Sequence, residues 1–442
     1  MVNGGNMKTR FYNAYVITCN DNFDIFPNGE VWVDEDTIVY AGESKDGFMA
    51  DRKVNCFGDI IMPGFINSHA HLPMQIFRGL AEGTSFGNWW NDQIKPLEKN
   101  FTSEQIYWST MLAIAESVRG GTTCVLNNYF VQDTPLKAFE ESGMRGAIHI
   151  DVRYGLDKSR RRHDWENRYA QLNKSNPLIT FFVSSHSIFS LDEDGLTDCT
   201  YLAKKYKLPQ TIHLCETLQE VGTCEKETGK SPVKYLEDLG FWDYPATVAH
   251  GIYVDKEDIK IFKKHNVNVS INMSSNLKLA DGIAPIYSYM QQGVSLSLGT
   301  DSVASNNRLD MFKEMFLASV SQKVLLKDAT VVTARDVLLM ATRGGAKALF
   351  LEDQIGQLTE GYQADIIRIS LSEPHWQPQN DLISHLVYSA MSSDVAMTMV
   401  AGKILYENGS YYIGNSLKEI YENCNISIKT LLTEVNKENN IK

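Results

Sequence analysis

The run Pro63-Gly64-Phe65-Ile66-Asn67-Ser68-His69-Ala70-His71 follows an apolar segment, residues 60–62, and ends in two histidines one residue apart. Side chains at positions i and i+2 of a β-strand point to the same face, so His69 and His71 are expected to aim both imidazoles at one point where a strand ends. Imidazole nitrogens at this spacing suit a borderline metal such as zinc, iron or manganese. Two surface histidines also fall at this spacing by chance, so a metal site requires further ligands from elsewhere in the chain.

The size and charge of the chain argue against several classes of protein. At 442 residues it is too long for one small core and predicts two domains, or one large barrel with an appendage. A net charge of −12 argues against nucleic acid as a partner, because phosphate backbones are bound through clustered lysine and arginine. No apolar run approaches the ~20 residues that span a bilayer, and residues 1–8 lack the apolar core of a signal peptide. We therefore expect no membrane association.

The cysteines indicate a reducing compartment. There are seven, and no two of them form a C-x-x-C pair. An odd number without paired spacing predicts neither a disulfide scaffold nor a thiolate zinc site. We expect most of them to be small core residues and the protein to be cytoplasmic.

The middle of the chain alternates between strand and helix candidates. The strand candidates are residues 60–66, 122–126, 146–150, 180–183, 210–212, 246–249, 267–271 and 294–298. A helix is predicted over Ser103–Arg119, with Ser103 as its N-cap. Eight strands that alternate with helices predict an α/β protein built on a (β/α)8 TIM-type barrel.

Both chain ends read as short β segments separated by turns rich in Asn, Asp and Gly. We expect them to pair into one small β-sandwich domain that brackets the barrel. The predicted boundaries are 1–62 and 356–415 for this domain, 63–355 for the barrel, and 416–442 for a polar C-terminal helix on the surface.

Polar residues at the predicted strand ends are the candidates for chemistry, because a (β/α)8 barrel carries its active site at the C-terminal ends of its strands. These candidates are His69 and His71 after strand one, His186 after strand four, His213 and Glu216 after strand five, His250 after strand six, and Asp301 after strand eight. Outside this set, four histidines are expected to be solvated in helices or loops: His163, His265, His375 and His385.

These residue types suit metal-assisted hydrolysis. Three neutral imidazoles and a carboxylate around a divalent ion leave one position for water, whose pKa falls towards ~7. A carboxylate beside the ion can take the proton, and a second carboxylic acid can protonate the substrate. Asp301 and Glu216 are the candidates for these two roles.

The set of strand-end residues resembles that of the amidohydrolase superfamily. Within that superfamily the chain is similar to the aminohydrolases that deaminate S-adenosylhomocysteine, 5′-methylthioadenosine and related nucleosides, and the triazine hydrolases are close relatives. The most specific motifs are 276–279 (Asn-Leu-Lys-Leu), 282–285 (Gly-Ile-Ala-Pro), 299–302 (Gly-Thr-Asp-Ser), 304–307 (Ala-Ser-Asn-Asn) and 361–365 (Gly-Tyr-Gln-Ala-Asp).

The resemblance implies a role for each matching position. The metal ligands would be His69, His71, His213 and Asp301. Glu216 would protonate the purine nitrogen next to the carbon under attack, and His250 would polarise the attacking water and stabilise the tetrahedral adduct. For substrate binding, the resemblance implies a stacking Trp89, a ribose-binding Glu98 and a contact from His186.

The resemblance also bears on metal number and assembly. Many dinuclear relatives carry a carboxylated lysine at the end of the fourth strand, whereas residues 183–186 here are Val-Ser-Ser-His. We therefore expect one divalent metal, zinc first, with iron or manganese as alternatives. A homodimer or larger homo-oligomer is expected as well.

One departure from the family pattern concerns the 5′ end of the substrate. Deaminases that act on S-adenosylhomocysteine place two arginines around its amino-acid tail. Arg162 or Arg161 is a candidate for one of them, but no basic residue stands at Ile150, although Arg153 is close by. Because an unpaired carboxylate is costly to desolvate, we expect 5′-methylthioadenosine, adenosine or 5′-deoxyadenosine to be preferred, with S-adenosylhomocysteine still open.

Two other functions compete with nucleoside deamination. The first is deamination or hydrolysis of a free heterocycle such as guanine, a pterin or a triazine, for which the ribose-binding role implied for Glu98 would be useless. The second is a barrel that has lost catalysis and serves as a scaffold. Such proteins usually lose their metal-ligating residues first, and every proposed metal-ligating residue is present in this sequence.

Overall fold

The computed structural model describes residues 7–440, with the exception of residues 81, 84–86 and 88. Within this range a parallel sheet of eight strands forms the barrel predicted from the sequence. Its strands are Phe65–Ala70, Thr122–Asn127, Arg145–Asp151, Ile179–Ser184, Gln210–Leu214, Ala246–His250, Asn268–Ile271 and Ser295–Leu298. A bridge between Ala70 and Asp301 joins the first strand to the chain after the eighth and closes the ring at its C-terminal edge.

Helices follow the strands and cover the outside of the barrel. The α-helices are Lys95–Lys99, Ser103–Arg119, Asp133–Ser142, Lys158–Leu172, Glu193–Tyr206, Leu218–Thr228, Pro232–Asp238, Lys256–Lys264, Met273–Lys278, Ile286–Gln292, Val303–Asn306, Met311–Leu326, Ala334–Leu339, Gly345–Ala348, Leu382–Tyr388 and Leu417–Asn440. Short 3-10 helices span Leu72–Phe77, Phe241–Asp243, Pro374–Trp376 and Ser392–Asp394, and π-helical turns span Trp89–Ile94 and Met340–Gly344.

The helix Ser103–Arg119 has the predicted bounds, but its N-cap is one residue earlier than predicted. The hydroxyl of Thr102 accepts the N–H of Gln105 at 3.3 Å, and the Gln105 side chain accepts the N–H of Thr102 at 2.9 Å. This reciprocal pair satisfies two of the N–H groups that a helix start leaves open. Ser103 is therefore the first helical residue, and the prediction of Ser103 as the cap is wrong.

Both chain ends contribute to one small β domain, as predicted, and hydrogen bonding joins their strands into a single mixed sheet. Among the described residues its strands are Lys8–Ile17, Ile25–Asp34, Thr37–Glu43, Arg52–Asn55, Ile60–Pro63, Ile366–Ile369, Val395–Val400, Lys403–Glu407 and Ser410–Tyr411. The strand Ile60–Pro63 links the two halves, because it pairs with Lys8–Ile17 on one side and with Ile366–Ile369 on the other.

The prediction of one continuous first barrel strand over residues 60–66 is wrong, because the chain changes sheet at Gly64. A side chain at this position would place its Cβ 2.1 Å from the side chain of Thr123. Pro63 has no N–H to donate to a continuing ladder. The Pro63-Gly64 pair therefore ends the strand of the small sheet, and the barrel strand begins at Phe65.

A buried ion pair connects the small domain to the barrel. Arg145, which begins the third barrel strand, donates from Nε to Oδ2 of Asp365 at 2.8 Å and from Nη2 to Oδ1 at 2.9 Å. The two side chains are only 3% and 2% exposed. Asp365 also accepts the N–H of Ala401 at 2.8 Å. Asp365, the last residue of the 361–365 motif, thus anchors to the barrel the segment that leads back into the small domain.

The C-terminal helix Leu417–Asn440 lies against the helix Ser103–Arg119. The Cys424 thiol donates to the carbonyl of Trp108 at 3.2 Å, and the Gln105 side chain donates to the carbonyl of Ser427 at 3.3 Å. All seven cysteines are free and buried, which confirms their prediction as core residues. Among the described residues, no helix is both long enough and apolar enough to traverse a bilayer.

Candidate active site and metal centre

Four of the predicted strand-end residues converge at the C-terminal mouth of the barrel. Nε2 of His71 lies 3.2 Å from Oδ1 of Asp301 and 3.4 Å from Nε2 of His213. Nε2 of His69 lies 3.7 Å from the same Asp301 oxygen. Ligand atoms of His69, His71 and Asp301 lie within 4.8 Å of one another, and so do those of His69, His213 and His250. Segments far apart in the sequence thus present their donors to one small volume.

A divalent cation fits this donor set. His69 is fully buried, and neither of its ring nitrogens makes a hydrogen bond within the described part of the chain. A buried polar atom without a partner costs free energy, which an ion held between the imidazoles and the carboxylate would recover. Three imidazoles and one carboxylate are a donor set suited to zinc and to other borderline metals.

Neighbouring groups orient two of the candidate ligands. Nδ1 of His213 lies 2.7 Å from the carbonyl of His186, so Nδ1 carries the proton and the lone pair of Nε2 faces the centre. The hydroxyls of Ser275 and Ser305 donate to Oδ2 of Asp301 at 2.5 Å and 3.0 Å. Oδ1 of Asp301 is thereby left to face the histidines.

The backbone is strained where these side chains are presented. Cys215, His250 and Asp301 have φ angles of +54°, +76° and +57°. Residues other than glycine adopt this left-handed region uncommonly, and they recur at active sites as well as at helix C-caps such as Lys207. In each case the strained residue is itself a candidate or directly precedes one, as Cys215 precedes Glu216.

Glu216 and His250 face each other beside the centre. Nε2 of His250 lies 3.5 Å from Oε1 of Glu216, and the amide of Asn276 lies 2.8 Å from Nδ1 of His250. Burial lowers the pKa of His250 to about 3 and therefore keeps the ring neutral. Burial and the nearby charge of Asp301 raise the pKa of Glu216 well above its usual value. The pair thus combines a neutral imidazole with a carboxyl group whose pKa is raised, which favours its protonated form.

A cavity of about 310 Å³ opens over this centre. The predicted site residues that line it are His71, Trp89, Glu98, His186, His213, Glu216, His250 and Asp301. His69 is fully buried and is not among the residues that line the cavity. The structure therefore brings all but one of the predicted site residues to a single place.

The exception is Arg162, which is not among the residues that line the cavity. It lies on the helix Lys158–Leu172, where its Nε donates to Asp198 at 2.5 Å and its guanidinium lies 3.6 Å from the ring centre of Tyr201. The fully buried Arg161 pairs with the same Asp198 at 2.9 Å. The expected role of Arg162 in binding the substrate is therefore not supported, because a helix-to-helix ion pair holds this side chain.

Arg153, the other basic residue considered for the 5′ end of the substrate, also lies outside the cavity lining. It pairs with Asp164 at 3.3 Å and is half exposed. Of the histidines expected to be solvated, His163 is exposed. The other three, His265, His375 and His385, are partly exposed. His265 also contacts the Trp242 carbonyl at 3.1 Å, and His375 contacts Asp394 at 2.8 Å.

Sequence analysis missed several residues of the cavity. Asn128, Tyr129 and Asp151 line it from the ends of the second and third barrel strands, and Glu220 lines it from the helix Leu218–Thr228. The signal available for Asn128 and Asp151 was their position at or directly after a predicted strand, the same criterion that found the histidines. The position of Tyr129 depends on the conformation of its loop, and that of Glu220 depends on where the helix Leu218–Thr228 begins.

A (β/α)8 barrel whose C-terminal mouth gathers three histidines, an aspartate and a buried glutamate is the architecture of a metal-dependent barrel hydrolase. Residues 60–405 match the amidohydrolase family. The chain belongs to the amidohydrolase family.

Individual proteins resemble the chain over nearly its whole length. It is 36% identical over 408 residues to the 5-methylthioadenosine/S-adenosylhomocysteine deaminase of Thermoanaerobacter pseudethanolicus, covering 91% of this chain and 94% of that protein. It is also 36% identical to the 5′-deoxyadenosine deaminase of Methanocaldococcus jannaschii, covering 87% and 93%. A crystal structure of an adenosine deaminase from Xanthomonas campestris with bound zinc superimposes with a TM-score of 0.90, at 29% identity and with 96% and 98% of the chains covered.

Proposed function

We propose that this protein is a metal-dependent hydrolase that deaminates adenine nucleosides at C6 and releases ammonia. The observation that carries the proposal is the convergence of His69, His71, His213 and Asp301 beside the facing pair Glu216 and His250. The relatives named as deaminases of 5′-methylthioadenosine, S-adenosylhomocysteine and 5′-deoxyadenosine support it.

The proposed cation site consists of His69, His71, His213 and Asp301. We assign one divalent ion to it, with zinc as the first choice because the similar structure from Xanthomonas campestris contains zinc. When bound, such an ion lowers the pKa of water towards ~7 and makes it a nucleophile at neutral pH. The end of the fourth barrel strand offers no lysine for bridging a second ion, since residues 183–186 are Val-Ser-Ser-His.

Three side chains are proposed to move or hold protons during the reaction. Asp301, whose Oδ1 faces the centre, accepts the proton that the attacking water loses. Glu216, whose pKa is raised by burial, gives its proton to N1 of the purine as oxygen adds to C6. His250 accepts from Asn276 at Nδ1 in its neutral form and so carries its proton on Nε2, which is the atom that faces Glu216. That N–H is placed to donate a hydrogen bond to the oxygen on C6. The amino group takes the proton held by Asp301 and leaves as ammonia, and the hydroxyl proton on C6 returns to Glu216.

The remaining part of the cavity is proposed to hold the nucleoside. Trp89 provides an aromatic face for the base, Glu98 accepts from ribose hydroxyls, and His186 contacts the substrate from the fourth strand. Base stacking on an aromatic side chain is worth about 1–3 kcal/mol. The substrate is therefore a small molecule, while the homo-oligomeric state and the cytoplasmic location stay predictions.

The charge of the cavity favours a neutral 5′ substituent. Its described lining includes no lysine or arginine but contains five carboxyl side chains: Glu98, Asp151, Glu216, Glu220 and Asp301. A substrate carboxylate would lose its hydration here without gaining a cationic partner. We therefore propose 5′-methylthioadenosine, adenosine and 5′-deoxyadenosine as the preferred substrates and rank S-adenosylhomocysteine below them.

The test is a screen of purines, nucleosides and pterins for released ammonia, with metal content measured on the same sample. We expect ammonia from adenine nucleosides, little from free bases or pterins, and one ion per chain. If ammonia is released only from guanine or pterins, the substrates are free heterocycles and not nucleosides. A preference of more than about 100-fold for S-adenosylhomocysteine would show that a cationic partner for its tail comes from outside this lining, for example from a neighbouring subunit.

A further inference from the structure

We propose that Glu220 is a positioning residue that holds the backbone turn carrying Glu216, so that the Glu216 carboxyl group points at the reacting ring. This inference rests on the proposed function, since it assigns Glu220 a part in the same proton transfer. Glu220 lies in the helix Leu218–Thr228, at the third helical position, and lines the cavity.

Both oxygens of the Glu220 carboxylate contact the turn. Oε1 accepts the N–H of Cys215 at 3.1 Å, and Oε2 accepts the N–H of Glu216 at 2.9 Å. A glutamate at this position commonly bonds the N–H of the helix cap, which here is Thr217. Glu220 instead reaches the two N–H groups that precede the cap, and these belong to the proposed proton donor and to its neighbour.

The turn requires such support because its backbone is strained. Cys215 has a φ angle of +54°, in a region that side chains other than glycine avoid. Its carbonyl is held from the other side, since it accepts the N–H groups of Ile252 and Tyr253 at 2.9 Å each. The peptide groups around Cys215 are thus fixed through their oxygens by the loop after the sixth strand and through their N–H groups by Glu220.

The chemistry of the contact explains why a carboxylate stands there. Two adjacent N–H groups need two acceptor oxygens, and an ionised carboxylate offers them on one rigid plane. A glutamine of the same length offers one oxygen, and its amide places a donor against the other N–H. The variant Glu220→Gln therefore changes the hydrogen bonds of the turn with little change in volume.

The experiment is a double-mutant cycle that combines Glu220→Gln with Glu216→Gln, read out as kcat and KM for ammonia release from 5′-methylthioadenosine together with metal content. We expect Glu220→Gln alone to lower kcat by about 10- to 100-fold, because a displacement near 1 Å has that effect on a reacting group. KM should change by less than about threefold and metal content should stay at the wild-type value. In the Glu216→Gln background, the same change should lower kcat by less than about twofold.

Two further variants keep the result interpretable. Asp336→Asn removes a carboxylate at the third position of another helix, where it accepts the N–H of Thr333 at 2.7 Å, and should leave kcat unchanged. Glu220→Asp keeps the charge but withdraws the oxygens by one methylene group, and it should lower kcat as Glu220→Gln does.

Equal fractional losses in both backgrounds, loss of the metal, or wild-type kcat in both Glu220 variants would overturn the role of Glu220. If the wild-type protein releases no ammonia from any adenine nucleoside, the proposed function fails instead. The two failures are therefore distinguishable in one set of measurements.

Discussion

Oε1 of Glu216 lies 3.5 Å from Nε2 of His250. Glu216 follows the fifth barrel strand, and His250 ends the sixth, which pairs with the fifth. The centre formed by His69, His71, His213 and Asp301 adjoins this pair. A substrate atom between the centre and the pair would thus meet a cation on one side and two proton-bearing groups on the other. The first two predictions concern this relationship.

Glu216→Gln should abolish most of the turnover while the metal stays bound. The amide keeps the shape of the side chain but cannot transfer a proton to the purine ring, and loss of a general acid costs about 10²- to 10⁴-fold. The measurement is kcat for ammonia release, with metal content on the same preparation. Glu227→Gln, at an exposed position of the helix Leu218–Thr228 that follows this turn, is the control. Near-normal turnover in Glu216→Gln would remove this residue from the role of acid.

Asn276→Ala should lower kcat through His250. The Asn276 amide lies 2.8 Å from Nδ1 of His250 and thereby fixes which nitrogen faces Glu216. Loss of such an orienting partner typically costs about 10- to 100-fold in activity. We expect the loss in kcat with little change in KM, measured on 5′-methylthioadenosine. A variant that keeps wild-type kcat would show that His250 needs no fixed tautomer.

Glu98→Ala separates nucleosides from free heterocycles as substrates. Glu98 lines the cavity, and burial raises its pKa to about 7. If it binds ribose hydroxyls, the variant should lose about 10- to 100-fold in kcat/KM for adenosine, the cost of hydrogen bonds to a charged group. Adenine itself, tested as a control, should be processed equally poorly by both proteins. Unchanged rates on adenosine would favour the free heterocycle as substrate.

Asp365→Ala should destabilise the protein, although Asp365 does not line the cavity. The variant leaves the Arg145 guanidinium buried without its partner, for which we expect a loss of about 3–5 kcal/mol in the free energy of unfolding. Chemical denaturation followed by fluorescence measures it. The matched control is Asp34→Ala, whose partner Lys8 is 46% exposed, with an expected change below about 1 kcal/mol. Equal losses in the two variants would contradict the importance of the buried pair.

The site was predictable from sequence because its residues directly follow strands that have recognisable apolar patterns. His213 and His250 lie near the ends of such runs, and a parallel barrel places all strand ends at one mouth. His149, by contrast, lies within the third strand and is buried beside Asp151 at 3.6 Å. Nothing in its local sequence distinguishes it from a core position, and it does not line the cavity.

Other features depend on contacts between distant segments, which local pattern cannot supply. Arg162 was placed near the substrate, but its partner Asp198 lies on the next helix, and only the packing of the two helices reveals the pair. The change of sheet at Gly64 likewise depends on Thr123. The contact of Glu220 with the turn at 215–216 depends on backbone angles that spacing does not encode.

The most direct test of the central claim is a metal titration of the chelated protein, followed by ammonia release from 5′-methylthioadenosine. The four-ligand centre predicts no release from the metal-free protein and recovery in proportion to added zinc up to one ion per chain. His213→Ala should not recover under the same conditions. Full activity in the metal-free protein, or a requirement for two ions per chain, would contradict the account.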